Sequence, residues 1–290
     1  MQLGIVTPVV NLNPRFAPPP WESQGGIDDI VAVARAAEAS GYRFVSCPEH
    51  VCIPTPVAES RGGTYWDPAV TLAYVAAATT SIALLTHVLV LGYHHPLEVL
   101  KRYGTLDRAS GGRLVLGVGV GTLRAEFETL GVPFAGRGER ADDALRAIRN
   151  GFGQIAPRHD GDHYRYDDVI VAPCGLQHPP PIWVGGRTRR SLRRALDLGD
   201  GWIPFGMELP ALRDLLDDEE LRARRADRPD FEVVLAPEPP LDPVGEPARC
   251  AETVHEYREA GATALHLRFR HRSRDHYVEQ LQAMAELRRS

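Results

Sequence analysis

Short apolar, largely β-branched runs recur at Leu3–Thr7, Arg43–Cys47, Ile82–Leu91, Leu114–Gly119, Ile182–Val184, Trp202–Pro204, Phe231–Ala236 and Ala264–Phe269. Between and after them apolar residues follow helical spacing, near Ile27–Ser40, Pro68–Thr79, Pro96–Ala109, Arg140–Gly151, Thr188–Leu198, Pro210–Ala226, Pro247–Ala260 and Asp275–Arg288. Continuous apolar runs without polar alternation predict strands buried on both faces, as in a parallel sheet. Strict alternation of such strands with helices predicts an α/β fold, and eight units predict a closed (β/α)8 TIM barrel. The punctuation agrees. Asp67-Pro68 is a helix start, and Ser40-Gly41, Leu198-Gly199 and Ala260-Gly261 place glycine just past a helix.

The spacing is uneven. More than 60 residues separate the fourth and fifth runs, about twice the need of one barrel unit. A long insertion after strand four, about 122–180, is expected within a single domain spanning 1–290. Asp160-Gly161-Asp162 predicts a turn there, and Tyr164–Val171 an extended strand. A shorter Pro- and Gly-rich excursion runs from Pro48 to Trp66. Excursions from the carboxyl ends of barrel strands usually build or cover the site.

From Pro68 to Leu97, thirty residues carry no Asp, Glu, Lys or Arg, a length that suits a membrane span. Thr79-Thr80-Ser81 interrupts the run, however, and the pattern switches from alanine-rich to β-branched. A buried helix followed by a buried strand explains both features, so no membrane association is expected. Hydrophobic residues make up 43% and charged residues 24%, ordinary globular usage. A net charge of −5 speaks against nucleic acid as a partner. Four scattered cysteines without a CxxC pair exclude a disulfide scaffold and disfavour a zinc site, so no metal is expected. The chain enters its first strand without a secretory leader, which predicts a cytoplasmic location.

The barrel sorts the motifs by strand end. Asp107-x-x-Ser110-Gly111-Gly112-Arg113 precedes strand four and belongs to the stability end. Strand two ends in Cys47-Pro48-Glu49-His50. His50 there could hold or donate a proton, with Glu49 orienting it, or the pair could merely pin the loop. Strand four ends in Gly117-Val118-Gly119-Val120-Gly121, which strips one strand face of side chains. Either a flat ring approaches the backbone or the barrel packs tightly there. Gly185-Gly186-Arg187-Thr188, followed by a helix, makes a phosphate site. Thr86-His87-Val88 places polar groups inside an apolar strand, as a core histidine or as ligand contacts. Arg268, Arg270, Arg272 and Arg274 alternate after strand eight, where they could meet an anion at the mouth or form a solvated basic turn.

Taken in order, these stretches resemble the luciferase-like flavin monooxygenase superfamily, and within it the coenzyme F420-dependent oxidoreductases. The likeness covers nearly the whole chain. Its specific parts are Gly41-Tyr42 through Glu49-His50, Leu106-Asp107 through Gly138 with Glu126-Phe127, and Pro181–Gly186 running on to Gly199-Asp200-Gly201-Trp202. The resemblance implies a flavin or deazaflavin across the carboxyl mouth, with Glu49 and His50 catalytic. Thr86, His87, Val88, Gly119 and Gly121 would bear on the ring, with a non-prolyl cis peptide at His87-Val88. Gly185, Gly186, Arg187 and Thr188 would hold its phosphate. Ala125 stands where some relatives use a cofactor-binding Asn. The single lysine, Lys101, makes a sugar-phosphate substrate doubtful. The implied activity is F420-dependent hydride transfer to or from a small organic substrate. The alternatives are an FMN-dependent monooxygenase using reduced flavin and oxygen, and a barrel that binds such a ligand without turnover. The apolar surfaces of the second and third helices are compatible with a homodimer, which no sequence pattern decides.

Overall fold

The structure, a computed structural model, describes residues 1–289. Eight parallel strands form the expected barrel: β1 (Gln2–Val6), β2 (Phe44–Cys47), β3 (Ala83–Thr86), β4 (Leu114–Gly119), β5 (Ile182–Gly185), β6 (Gly201–Ile203), β7 (Glu232–Leu235) and β8 (Ala264–Leu267). They pair in chain order, β1 also pairs with β8, and the β3–β4 pairing completes the ring. Around it run α1 (Ile27–Ala39), α2 (Pro68–Ala78), α3 (Pro96–Ala109), α4 (Arg137–Gly151), α5 (Arg189–Leu198), α6 (Leu209–Leu216), α7 (Glu219–Ala226), α8 (Pro247–Glu259) and α9 (Arg274–Arg289).

Strand side chains alternate between the barrel interior and the helix layer. The interior is filled at its amino end by Phe44, Leu85, Val115, Trp183, Ile203, Val234 and Ala264. Burying each larger side chain of that set contributes about 1.5–3 kcal/mol. Gly4 makes room for this layer, because a Cβ there would lie 2.2 Å from the Phe44 ring. One step toward the carboxyl end the filling turns polar, with Ser46 Oγ and His266 Nε2 2.8 Å apart. The barrel is therefore apolar below and polar at its mouth.

Asp107 and Arg113 sit at the stability end, as expected. Arg113 donates to the Ala76, Thr79, Ile82 and Ser110 carbonyls and to the Thr79 hydroxyl, fastening the end of α2 to β4. Asp107 is fully buried and accepts from the Leu176 and Gln177 amides. A cavity of about 360 Å3 opens at this end, walled by Arg43, Trp183, Asp200 and Glu232.

Three local expectations need correction. The Ile82–Leu91 run is not one strand: β3 stops at Thr86 and a short continuation, Leu89–Val90, follows a bulge. The helix expected over Pro210–Ala226 is two, because the Asp218 carboxylate caps the Leu221 amide and starts α7 anew. The strand expected over Tyr164–Val171 shrinks to Arg165–Tyr166, paired antiparallel with His159–Asp160 around the expected turn. Gly199 follows the last residue of α5 as expected, with φ −121°; a Cβ there would press on the Ile182 carbonyl at 3.0 Å. Within the insertion, α4 packs between α3 and α5 as a barrel helix. Among the described residues, no helix is long and apolar enough to cross a membrane.

Candidate active site

The mouth is shaped first by the break in strand three. Leu85 pairs with Val115 and Leu89 with Val118, so one strand spends an extra residue between the two pairings, a β-bulge. The His87-Val88 peptide inside it is cis, as the resemblance implied. Thr86 Oγ1 donates to the Gly117 carbonyl at 2.7 Å, satisfying an acceptor that the bulge leaves out of the ladder. Thr86 is fully buried, and the one proton of its hydroxyl is used in that bond, which ties it to the bulge.

The bulge also explains the glycines. A Cβ on Gly117 would lie 1.9 Å from the Thr86 carbonyl oxygen. One on Gly119 would lie 2.7 Å from Val88 Cγ2, and one on Gly185 2.8 Å from Val88 Cγ1. At Gly121 it would strike the Phe127 ring at 2.6 Å. The stripped strand face is therefore no open shelf. The chain's own Val88 and Phe127 cover it, and the tight-packing reading of the GxGxG pattern is the correct one. A ligand at the mouth would meet Val88 and His87 instead of bare glycine backbone.

His87 Nε2 is buried without a hydrogen-bond partner. Its ring meets that of His266 edge-on, with centroids 4.4 Å apart. Burial, helped by the nearby Arg268 charge, pushes the His87 pKa down to about 4 and keeps it neutral.

His50 is held by a carboxylate from far along the chain. Its Nδ1 lies 2.6 Å from Glu126 Oε2, while the Val51 and Cys52 amides donate to Oε1 at 2.8 and 3.2 Å. Tyr93 donates its hydroxyl to Oε2 at 2.8 Å. Burial alone would raise the pKa of the fully enclosed Glu126, but the bonds from His50, Tyr93 and Cys52 outweigh it and hold the carboxyl below its ordinary range. An ionised carboxylate only accepts, so His50 Nδ1 carries the hydrogen and Nε2 stays free. The His50 ring also rests edge-on against Tyr65, with centroids 4.5 Å apart.

Glu49 does not orient His50. It turns the other way, accepting from the Val90 amide at 2.7 Å and facing His94 Nε2 at 2.7 Å. Both its oxygens are engaged and it is buried. It pins the end of the bulge, which corrects the catalytic role expected for it. Glu126 takes the orienting role. Only its place in the Glu126-Phe127 stretch marked it, since nothing in a separation of 76 residues announces a contact with His50.

The loops after β1 and β2 are zipped together over this rim. Asn11 and Tyr65 form an antiparallel bridge, and Trp66 N donates to the Val10 carbonyl at 3.0 Å. Tyr65 anchors this loop, its hydroxyl donating to the Arg61 carbonyl at 2.9 Å. Across the barrel, Gly185, Gly186, Arg187 and Thr188 form the turn into α5. Thr188 and Ser191 cap each other in a capping box, and the indole of Trp202 donates to the Gly186 carbonyl at 3.1 Å. The box takes the Thr188 and Ser191 amides, the Arg189 and Arg190 amides between them have no intrahelical partner, and the helix end carries partial positive charge. Arg187 is exposed and makes no ion pair among the described residues, whereas Arg189 is committed to Asp218 and Glu220. Among the described residues, no cluster of His, Cys, Asp or Glu could hold a metal ion.

Barrel and site together define a (β/α)8 protein with buried polar groups, Ser46, Glu49, Thr86, Glu126 and His266, at the carboxyl-end mouth, the usual place for barrel chemistry. The chain belongs to the luciferase-like monooxygenase family, whose model matches residues 1–243. It is similar to an F420-dependent hydroxymycolic acid dehydrogenase of Mycobacterium tuberculosis, 32% identical over 180 residues covering 61% of this chain and 48% of that one. It is also similar to an FMNH(2)-dependent dimethylsulfone monooxygenase of Pseudomonas putida, 26% identical over 204 residues covering 69% and 54%. The chain spans 65% of the length of the curated relatives it matches at 33% identity. The fold is shared with the coenzyme F420 dependent tetrahydromethanopterin reductase of Methanopyrus kandleri, at TM-score 0.73, 14% identity and coverage of 98% and 97%.

Proposed function

We propose that this chain is an oxidoreductase that binds coenzyme F420 across the mouth and passes a hydride between that cofactor and a small organic substrate. One observation carries the reading: a partly exposed imidazole at the mouth, His50, has one nitrogen fixed by the buried Glu126 and the other unpartnered. The residues fit such a group. His87 offers an orphaned ring nitrogen, Val88 supplies an apolar support, and the turn Gly185–Thr188 presents helix amides and the free Arg187 to a phosphate. The cofactor, when bound, supplies the redox chemistry itself. His50 holds or delivers a proton at Nε2, and Glu126 stabilises the charged ring when it does so. Glu49 and Thr86 keep the bulge in place, and the zipped loops of Asn11 and Tyr65 limit water at the rim. An FMN-dependent monooxygenase is the second reading, favoured by the similarity to the Pseudomonas putida enzyme.

Anaerobic titration with oxidised and reduced F420 and FMN, followed by admission of oxygen, tests both. F420 is expected to bind and to turn over without consuming oxygen. Tight FMNH2 binding with oxygen-dependent product formation would overturn F420 in favour of the second reading, and binding of neither would end both. His50→Ala is expected to keep cofactor affinity and lose about 100-fold or more in turnover.

A further inference from the structure

Four arginines alternate after β8, and the structure sorts them. Arg270 pairs with Asp242 and Glu246, and Arg274 with Asp29 and Asp275, both on the outer surface. Arg272 is exposed. Arg268 is different. Ala264 lines the barrel interior and His266 meets Ser46 there, whereas Leu265 and Leu267 belong to the outer core. The two-residue period therefore turns Arg268 inward, one layer above His266 at the mouth.

Its guanidinium lies over the ring of Phe16, 3.6 Å from the centroid, in the short turn Pro14–Phe16 that follows β1. No carboxylate pairs with it among the described residues. The two whose charges it feels are engaged elsewhere. Glu22 accepts from the Val9 amide at 2.8 Å and faces His271 Nε2 at 3.0 Å, and Glu238 is bound to Arg15. Tyr277 donates its hydroxyl to the Val6 carbonyl, and Tyr65 donates its own to the Arg61 carbonyl. His87 and His266, both close enough to feel the cation, are held neutral by burial. Burial also pulls the Arg268 pKa down to about 10, which leaves it charged. Arg268 is half-buried, and a partly desolvated cation without a counter-charge is costly to maintain. Stacking on Phe16 uses the face of the guanidinium and leaves its edge donors free, the arrangement that suits a bidentate, in-plane acceptor.

We propose that Arg268 is the anchor for a carboxylate on the substrate, gripped between Phe16 and His87 on the side of the mouth opposite the phosphate turn. The substrate class is then a small organic acid. This rests on the reading of the mouth as the active site.

The test uses the full chain, with benzoate as probe and benzamide as its neutral counterpart, followed through the Arg268 Nε resonance. Benzoate is expected to bind at least about tenfold more tightly than benzamide. Arg268→Gln should weaken benzoate about tenfold or more, and Arg268→Lys by a smaller factor, since an ammonium lacks the planar fork. Neither variant should lower the unfolding midpoint, and affinity for F420 or FMN should stay within about twofold of the parent. The anchor assignment is overturned by any of three results: benzoate affinity unchanged in Arg268→Gln, a lowered midpoint marking a structural cation, or cofactor affinity falling with the probe's. If the unaltered chain binds benzoate through Arg268 but neither cofactor, the oxidoreductase reading fails while the anchor stands.

Discussion

Alanine at Gly119 is the sharpest probe of how the mouth is built. The new Cβ would lie 2.7 Å from Val88 Cγ2 but 3.6 Å from Val88 Cβ. The first distance forces a shift of a stiff β-branched side chain; the second is ordinary contact. Overpacking of this kind costs about 1–3 kcal/mol. Val88→Ala alone removes two methyl groups from a partly exposed side chain, a loss of about 1 kcal/mol. With Val88 already trimmed, the clash is gone. Gly119→Ala then restricts the unfolded chain and should stabilise by about 0.4–1 kcal/mol. The same substitution thus changes sign with its background, and the coupling amounts to about 1.4–4 kcal/mol. Urea unfolding of the ligand-free parent, both single variants and the double variant measures this directly. Additive effects to within about 0.5 kcal/mol would refute the claim that Gly119 exists to admit Val88. So would a Gly119→Ala midpoint equal to the parent's with only cofactor affinity reduced, because that is what bare backbone reserved for a ring predicts.

Three further outcomes are expected. Glu126→Gln leaves one carbonyl oxygen where two oxygens accept four bonds, and should cost about 2–3 kcal/mol. It should also move the His50 hydrogen from Nδ1 to Nε2; an unchanged tautomer in 15N spectra would contradict the assigned pair. For His94, burial lowers the pKa but the bond to Glu49 and the charges of Glu49 and Glu98 more than reverse it, so the folded value lies above 6.5. Its contribution is complete below pH 6.5 and fades as pH rises through the folded value, and His94→Gln should flatten that slope in pH-dependent unfolding. For Glu38, burial raises the pKa, but donation from Ser81, Ile82 and Thr80 carries it down to about 2. Its stabilisation is present above pH 4.5 and lost between pH 4.5 and 2. After screening it amounts to about 1 kcal/mol, and Glu38→Gln should remove both the stability and its acid dependence.

The barrel was legible because its signals are local. Strands buried on both faces leave unbroken apolar runs, and Asp67-Pro68 and Thr188 announce helix starts through their own side chains and φ preferences. Sorting residues by strand end brings His50 and the Gly185–Thr188 turn to one mouth from the sequence alone, whereas His87, in the middle of a run, is tied to it only by the resemblance. The glycine pattern was legible as a demand for space, but not as to what fills it.

The tertiary structure alone decided the partners. Glu49 is one bond from His50 along the chain, yet β2 ends with the two side chains diverging, one toward His94 and the other toward Glu126 in the insertion. Val88 reaches Gly119 and Gly185 only because a bulge shifts one strand against another, and a one-residue shift exchanges the faces of everything beyond it. Among four arginines of identical chemistry, the direction of β8 turns Arg268 inward over Phe16 and leaves Arg270 and Arg274 to surface carboxylates. Patterns of period and capping depend on neighbours in sequence. Which charge meets which depends on how helices and strands close a ring, and no local pattern encodes that distance.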